Sequence, residues 1–243
     1  MKYVIWFVEK IIWISRLYLF ELCVIIVIYF FVFIFYCFIM KKLEEWFPYL
    51  LLLIYIWLLV WSGINPVDRG VWYAEEWTVL AVVLVLIFTF KKFRFSNLAY
   101  FMMFLWIVIH TIWGHYTFEN VPFDWFNNLF GFERNMYDRV GHFIIWFYAF
   151  PIIELLDRKK MVNNKVVLYL FWFLFMVSLA GLYEIFEWWY AVYFDPATWD
   201  AVLGSQWDIW DAQKDMLMDT CGAIFAIILY WINQRCLGLK SNK

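Results

Sequence analysis

The heptapeptide YDRVGHF, Tyr137 to Phe143, sets a carboxylate, a guanidinium and an imidazole within five residues of an otherwise apolar stretch. On a helix, Asp138 and His142 stand at i and i+4 and share a face. Two other segments carry ionisable groups at helical spacing. In YEIFEWW, Tyr183 to Trp189, Glu184 and Glu187 are three residues apart. In WDIWDAQKDMLMD, Trp207 to Asp219, the residues Asp208, Asp211, Asp215 and Asp219 step by three, four and four and line one stripe. Imidazole nitrogen beside carboxylate oxygens suits a divalent metal such as zinc or manganese, with an open position to activate water. The same groups also suit general acid–base chemistry on a lipid-linked substrate, a proton or cation relay, or a purely structural buried network. The spacing is not HExxH, and no serine or cysteine is paired with a base, which disfavours a nucleophile triad.

The elements that must position these groups are membrane helices. Of the 243 residues, 66% are hydrophobic and 16% charged, and the mean hydropathy is +0.71. A soluble domain averages about 45–50% apolar and about 25% charged, so this excess cannot hide in one globular core. The expected fold is all-α, a polytopic transmembrane bundle of about seven spans, made of a six-span core and one N-terminal helix. The spans are roughly 17–40, 47–63, 77–90, 98–113, 140–156, 166–190 and 216–234. The chain then divides into an N-terminal membrane helix extension (1–45), the bundle (46–236) and a tail (237–243). The first apolar run exceeds a signal-peptide core and lacks a small-residue cleavage pattern, so it is expected to be a retained span. Cys23, Cys37, Cys221 and Cys236 all sit in apolar segments and read as small buried hydrophobes. The net charge of −2 argues against nucleic acid as a partner and leaves the lipid bilayer as the surrounding medium.

Lysine and arginine collect in alternate loops, at 41–42, 91–94, 158–165 and 235–243, and mark those loops and the C-terminus as cytoplasmic. The intervening loops are acidic and face outward. This pattern sets the N-terminus outside, against the basic Lys2, Lys10 and Arg16. Every polar cluster then falls at the outer end of a span. His142 lies 15 residues from Asp157, Glu184 lies 19 from Lys165, and Asp219 lies 16 from Arg235. At ~1.5 Å per residue the three stand about 22, 28 and 24 Å above the cytoplasmic border of a ~30 Å core. Three helices therefore carry an ionisable group at nearly one level. An aspartate at that depth costs ~2.5–3.5 kcal/mol in lipid, so the stripe must face the bundle interior, a partner or water.

Plainer roles compete with this one. Asp138 stands where a helix cap belongs, and Asp208 and Asp211 can be solvated or capping. Glu184 and Glu187 resist such a reading, because a helix C-terminus disfavours negative charge and they need a cation, a proton or a donor. His115 lies in a loop at the right height, whereas His110 reads as packing. Arg69 and Arg139 can pair with neighbouring acids or snorkel, and Arg139, next to Asp138, is expected to point away from the pocket. Asn65-Pro66 after Gly63 reads as a helix stop. The inner halves of the last three spans look dry apart from Glu154, Ser178 and Asn233, which disfavours transport.

The runs WSGINPVDR, GHYTFENVPFDW, NMYDRVGHF, YEIFEWW and GSQWDIWDAQKDMLMDTCGA, in that order, resemble the YjdF-type predicted inner-membrane proteins of bacteria. The resemblance extends from about Trp57 to Asn233, implies an inner-membrane topology, and carries no reaction with it. A fainter likeness is to the VanZ-like membrane proteins, a group associated with glycopeptide tolerance at the cell envelope. There Asp138, His142 and Phe143, Glu184 to Glu187, and Asp215 to Asp219 with Gly222 would correspond. This chain differs in having Glu187 where glutamine is usual and Asp219 where asparagine is usual, which makes the site more acidic.

Together these readings predict an outward-facing acidic and histidine pocket at the membrane surface. His142, Glu184 and Asp219 are the candidate catalytic groups, and the same three with Glu187 are the candidate metal ligands. Asp138, His115, Glu187, Asp215, Arg69 and Arg139 are candidates for binding. A divalent metal or a lipid-linked envelope precursor is the expected occupant; the alternatives are a proton- or cation-coupled transporter and a non-catalytic structural protein.

Overall fold

The computed structural model describes residues 45–117, 120–193, 206 and 208–236. The chain divides into two compact units, Met1–Phe47 and Pro48–Lys243. The first, with the expected 17–40 span, lies almost wholly outside the described residues, as does the tail. The described helices, all but Phe47 within the second unit, are α1 (Phe47–Ser62), α2 (Arg69–Thr89), α3 (Asn97–Tyr116), α4 (Asp124–Phe130), α5 (Tyr137–Ile145), α6 (Ala149–Arg158), α7 (Lys165–Tyr193) and α8 (Asp211–Cys236). A single 3-10 turn, Trp146–Tyr148, joins α5 to α6. Among the described residues, five stretches are long and apolar enough to cross a membrane: Arg69–Thr89, Asn97–Tyr116, Tyr137–Arg158, Lys165–Trp189 and Asp211–Arg235. With the shorter apolar α1 they form an all-helical polytopic bundle.

Along the chain, Lys91, Lys92 and Arg94 follow α2 and Arg158, Lys159 and Lys160 close α6, whereas Asp68 precedes α2, Glu133 precedes α5 and Asp208 precedes α8. Short polar devices stop the helices at each end. Asp68 caps α2 by accepting from the Val71 N–H (2.9 Å), and Ser96 caps α3 by accepting from Ala99 (3.2 Å). Helix α2 thus begins well before the span expected at 77–90 and takes in Glu75 and Glu76. Asn65 takes a left-handed backbone (φ 49°), as the stop expected at Asn65-Pro66 requires.

The expected continuous span over 140–156 is broken at Trp146–Tyr148, and Pro151 supplies the reason. Proline has no N–H to give to the Phe147 carbonyl four residues back, and its ring crowds that group, so the chain tightens before resuming as α6. The α5–α6 span packs against α8, which also packs on α7, while α3 links α2 to α5 and α6. Phe143, Phe147, Phe150, Ile153, Leu168, Ala223, Ala226 and Tyr230 are fully buried and make the apolar middle of this core. The outward faces of α1, α2 and α7 stay apolar, with Trp57, Phe88, Leu170 and Phe171 exposed, as lipid contact requires.

At the basic end, Glu154 is fully buried and saturated. It accepts from the Ser96 N–H (2.7 Å), the Ser96 hydroxyl (2.6 Å) and Arg158 Nη1 (2.6 Å), pinning α6 to the start of α3. Glu154→Gln keeps the shape and loses the charge-assisted bonds. We expect it to lower stability by about 1–2 kcal/mol, read as an earlier midpoint of SDS-induced unfolding in mixed micelles.

Candidate functional site

The connection into α5 is built to hold that helix's first turn. Asn135 donates its N–H to Gln206 Oε1 (2.9 Å) and accepts from Gln206 Nε2 (3.2 Å), while its side chain donates to the Val121 carbonyl (2.9 Å). Tyr137 donates its hydroxyl to the Ile109 carbonyl on α3 (2.8 Å). The start of α8 is fixed by Asp208, whose Oδ1 accepts from the Trp210 N–H (3.1 Å) and whose Oδ2 accepts from Lys214 Nζ (2.6 Å). Burial alone would raise the Asp208 carboxyl, but these two bonds and nearby Arg139 hold it below the usual carboxylate range.

The aspartate stripe of α8 faces α5 across two arginines. Arg139, only 3% exposed, pairs with Asp211 and Asp215 and lies 3.4 Å from Asp138. Arg134 pairs with Asp211 and reaches Asp138 at 2.9 Å. Three expectations are thereby overturned. Arg139 turns into the cluster rather than away from it: at the start of α5 its long arm can swing across to the α8 stripe, where two carboxylates outweigh its neighbour in the chain. Asp211 is buried and ion-paired, not solvated. Asp138 is no cap either; the N-cap position is Met136, and the carboxylate of Asp138 faces the guanidiniums. Arg134 was missed in the sequence, although its i, i+4 spacing to Asp138 was a legible signal.

One helical turn further in lies His142. Its Nδ1 is 3.1 Å from Asp219 Oδ1, and its Nε2 is 3.5 Å from Asp138 and 3.6 Å from Asp215. A neutral imidazole donates from one nitrogen only, so carboxyl groups at both nitrogens call for a second proton, on the ring or on a carboxyl, or for a cation on one side. Two groups of ligand atoms lie within 4.8 Å of one another: Asp138, His142 and Asp215, and His142, Glu184 and Asp219. The buried Oε1 of Glu184 has no hydrogen-bond partner. The residues matched in depth on three helices are thus side by side. Glu187 joins neither group and interacts with Tyr183 one turn before it, whose ring stands 6.5 Å from that of His142.

The remaining candidates lie elsewhere. His115 closes the last turn of α3 rather than lying in a loop. It donates from Nδ1 to the Ser62 carbonyl (2.9 Å) and sits against Trp61. Arg69 donates to the Gly63 carbonyl (2.8 Å) and covers Trp72. Both fasten α1 to α2 and α3. His110 does more than pack: besides stacking on Trp106 it meets Glu75 at 2.8 Å and Thr78 at 3.2 Å.

Residues 47–235 match the family described as "Predicted membrane protein (DUF2238)". This chain belongs to the DUF2238 family. It is 31% identical over 173 residues to the inner membrane protein YjdF of Escherichia coli (strain K12), covering 70% of this chain and 82% of that relative. No solved structure matches it. The five motif runs read from the sequence fall inside the matched region, and so does every residue of this DUF2238 chain that faces His142.

Proposed function

We propose that this chain is a multi-pass inner-membrane protein that binds a divalent cation through His142, Glu184 and Asp219, at the outward-facing end of its bundle, with the C-terminus cytoplasmic. The observation that carries the reading is the convergence of these ligand atoms within 4.8 Å around a buried, unpartnered Glu184 oxygen. Charge supports it. Seven carboxylates (Asp138, Asp208, Asp211, Asp215, Asp219, Glu184 and Glu187) face Arg134, Arg139, Lys214 and His142, so three negative charges remain even with an imidazolium. In a low-dielectric interior that surplus requires protons or a cation. One imidazole with carboxylate oxygens is a donor set for zinc or manganese, which there would act as a Lewis acid. Asp138 and Asp215 hold the far side of the His142 ring and fix its orientation.

Binding fits better than passage, because the apolar layer of Phe143, Phe147, Phe150 and Ala226 closes the bundle beyond the site and Glu154 is saturated by Ser96 and Arg158. Both arginines are already occupied by aspartates. A phosphate-bearing, lipid-linked headgroup would therefore be taken by the cation rather than by a guanidinium. Elemental analysis of protein purified in detergent tests the core of the reading. The expected result is about one zinc or manganese per chain, falling at least about tenfold in Asp219→Ala. Equal, negligible metal in both proteins would sink it.

A further inference from the structure

Apart from the His142 site, α1, α2 and α3 enclose a cavity of about 460 Å3. Its wall runs from Pro48 to Tyr55 on α1, from Lys91 back to Val83 on α2, and from Tyr100 to Ile107 on α3. At ~1.5 Å per residue each stretch is roughly 10–12 Å long. The way α1 is fastened leaves this space. Near its C-terminal end Ser62 accepts from Trp72 Nε1 (3.0 Å) and, through its carbonyl, from His115 Nδ1 (2.9 Å). Near its start the Tyr49 ring meets Phe90 edge-on at 5.6 Å, and Phe90 meets Tyr100 at 6.0 Å. Between these fastenings Leu51, Leu52, Leu86 and Phe104 line the gap without filling it. Tyr49, Ile87 and Phe88, also in the wall, are exposed, so the cavity opens on the apolar flank of the bundle.

The volume falls within the roughly 300–1,000 Å3 of ligand cavities, far above the voids that helix packing leaves. The wall is too apolar to hold water, whereas hydrocarbon fits it. Its length is within the ~15 Å that one leaflet's hydrocarbon occupies, half of a ~30 Å core. Charge identifies the other half of the occupant. Lys91, exposed, is the one charged residue among the described residues lining the cavity, and Lys92 and Arg94 follow it. Arg94 lies over the Phe90 ring at 6.0 Å. Neither Lys91 nor Lys92 has an acidic partner among the described residues, and Glu154, the acid bound to Ser96, is saturated by Ser96 and Arg158. An acyl chain in the cavity would therefore carry its headgroup to unpaired ammonium groups, which suit a phosphodiester, as basic pockets between membrane helices do. We propose that an anionic glycerophospholipid binds between α1, α2 and α3, with an acyl chain in the cavity and its phosphate at Lys91 and Lys92.

The test is native mass spectrometry of the full chain, delipidated in detergent and titrated with phosphatidylglycerol or with phosphatidylcholine of the same acyl chains. Wild type is expected to bind one phosphatidylglycerol saturably, at least about tenfold more tightly than phosphatidylcholine, a comparison that needs no variant. The double variant Lys91→Gln, Lys92→Gln keeps the cavity and is expected to lose that preference, with phosphatidylglycerol weakened about tenfold. Leu52→Trp keeps the charges and fills the cavity, so it is expected to weaken both lipids at least about tenfold. Arg235→Gln removes a basic residue from the end of α8, which does not line the cavity, and is expected to bind as wild type does. Equal affinity of wild type for the two lipids would overturn the proposal. So would no saturable binding, the result expected if another protein segment fills the cavity. Undiminished binding in Leu52→Trp, or the same loss in Arg235→Gln as in the double variant, would reduce the effect to general attraction by a basic surface and overturn it too.

Discussion

Arg139→Leu is expected to destabilise the protein by about 3–5 kcal/mol, the cost of removing one partner from a buried ion cluster while its carboxylates stay behind. Arg139 is buried and meets Asp138, Asp211 and Asp215 from one guanidinium. Asp138 and Asp211 keep Arg134 when it goes, but Asp215 is left with only the edge of His142 at 3.6 Å. The charge stranded in the variant is therefore that of Asp215. This makes a rescue possible. Asp215→Asn on the Arg139→Leu background removes the stranded charge and is expected to recover about half of the loss, whereas Asp208→Asn, whose carboxylate retains Lys214, recovers little. Arg139→Lys should fall between wild type and leucine, because an ammonium is a point charge and cannot fork between two carboxylates. The midpoint of SDS-induced unfolding in mixed micelles measures all four proteins. A loss under about 1 kcal/mol in Arg139→Leu would mean that the cluster is solvated and that the arginine contributes only a surface pair.

The aspartate stripe also shows how much was legible beforehand. Period and depth are one-dimensional properties, so the i, i+4 steps of Asp211, Asp215 and Asp219 and the common level of His142, Glu184 and Asp219 could be counted along the chain. The structure sets those residues against one another. Direction at a helix start is different. Arg139 sits in the first turn of α5, where a long side chain can swing to either neighbour, and only the position of α8 decides between them. Asp211 was misread for the same reason, since its partners Arg134 and Arg139 come from a different helix. The Glu75–His110 pair likewise joins α2 to α3, and no spacing within one segment reveals it. The break at Trp146–Tyr148, by contrast, was readable: Pro151 forbids a bond to Phe147, and the rule needs no tertiary information.

Gly222→Ala carries the other large expected effect, and it concerns how α5 and α8 come close enough for His142 to meet Asp219. A Cβ on Gly222 would overlap the Phe143 carbonyl, standing 2.9 Å from its carbon and 3.2 Å from its Cα. The obstacle is backbone, so no rotamer change relieves it, and α8 must move away from α5. Overpacking of this kind costs typically 1–3 kcal/mol, and a backbone obstacle puts the cost at about 3. In an exposed helix the same substitution would stabilise by about 1 kcal/mol, since alanine loses less conformational entropy on folding. The sign of the change therefore reports on the contact. Gly181→Ala is the internal control: its Cβ would meet only the flexible end of Met216, at 3.4 Å, and it should be neutral or mildly stabilising. Because Gly222 lies three residues from Asp219, displacement of α8 also opens the 3.1 Å contact with His142 Nδ1. The expected result is a coupled loss, an earlier SDS midpoint together with reduced metal content, in Gly222→Ala and in neither measurement for Gly181→Ala. Stability lost with metal content unchanged would place the ligands on parts of the bundle that do not depend on the α5–α8 crossing.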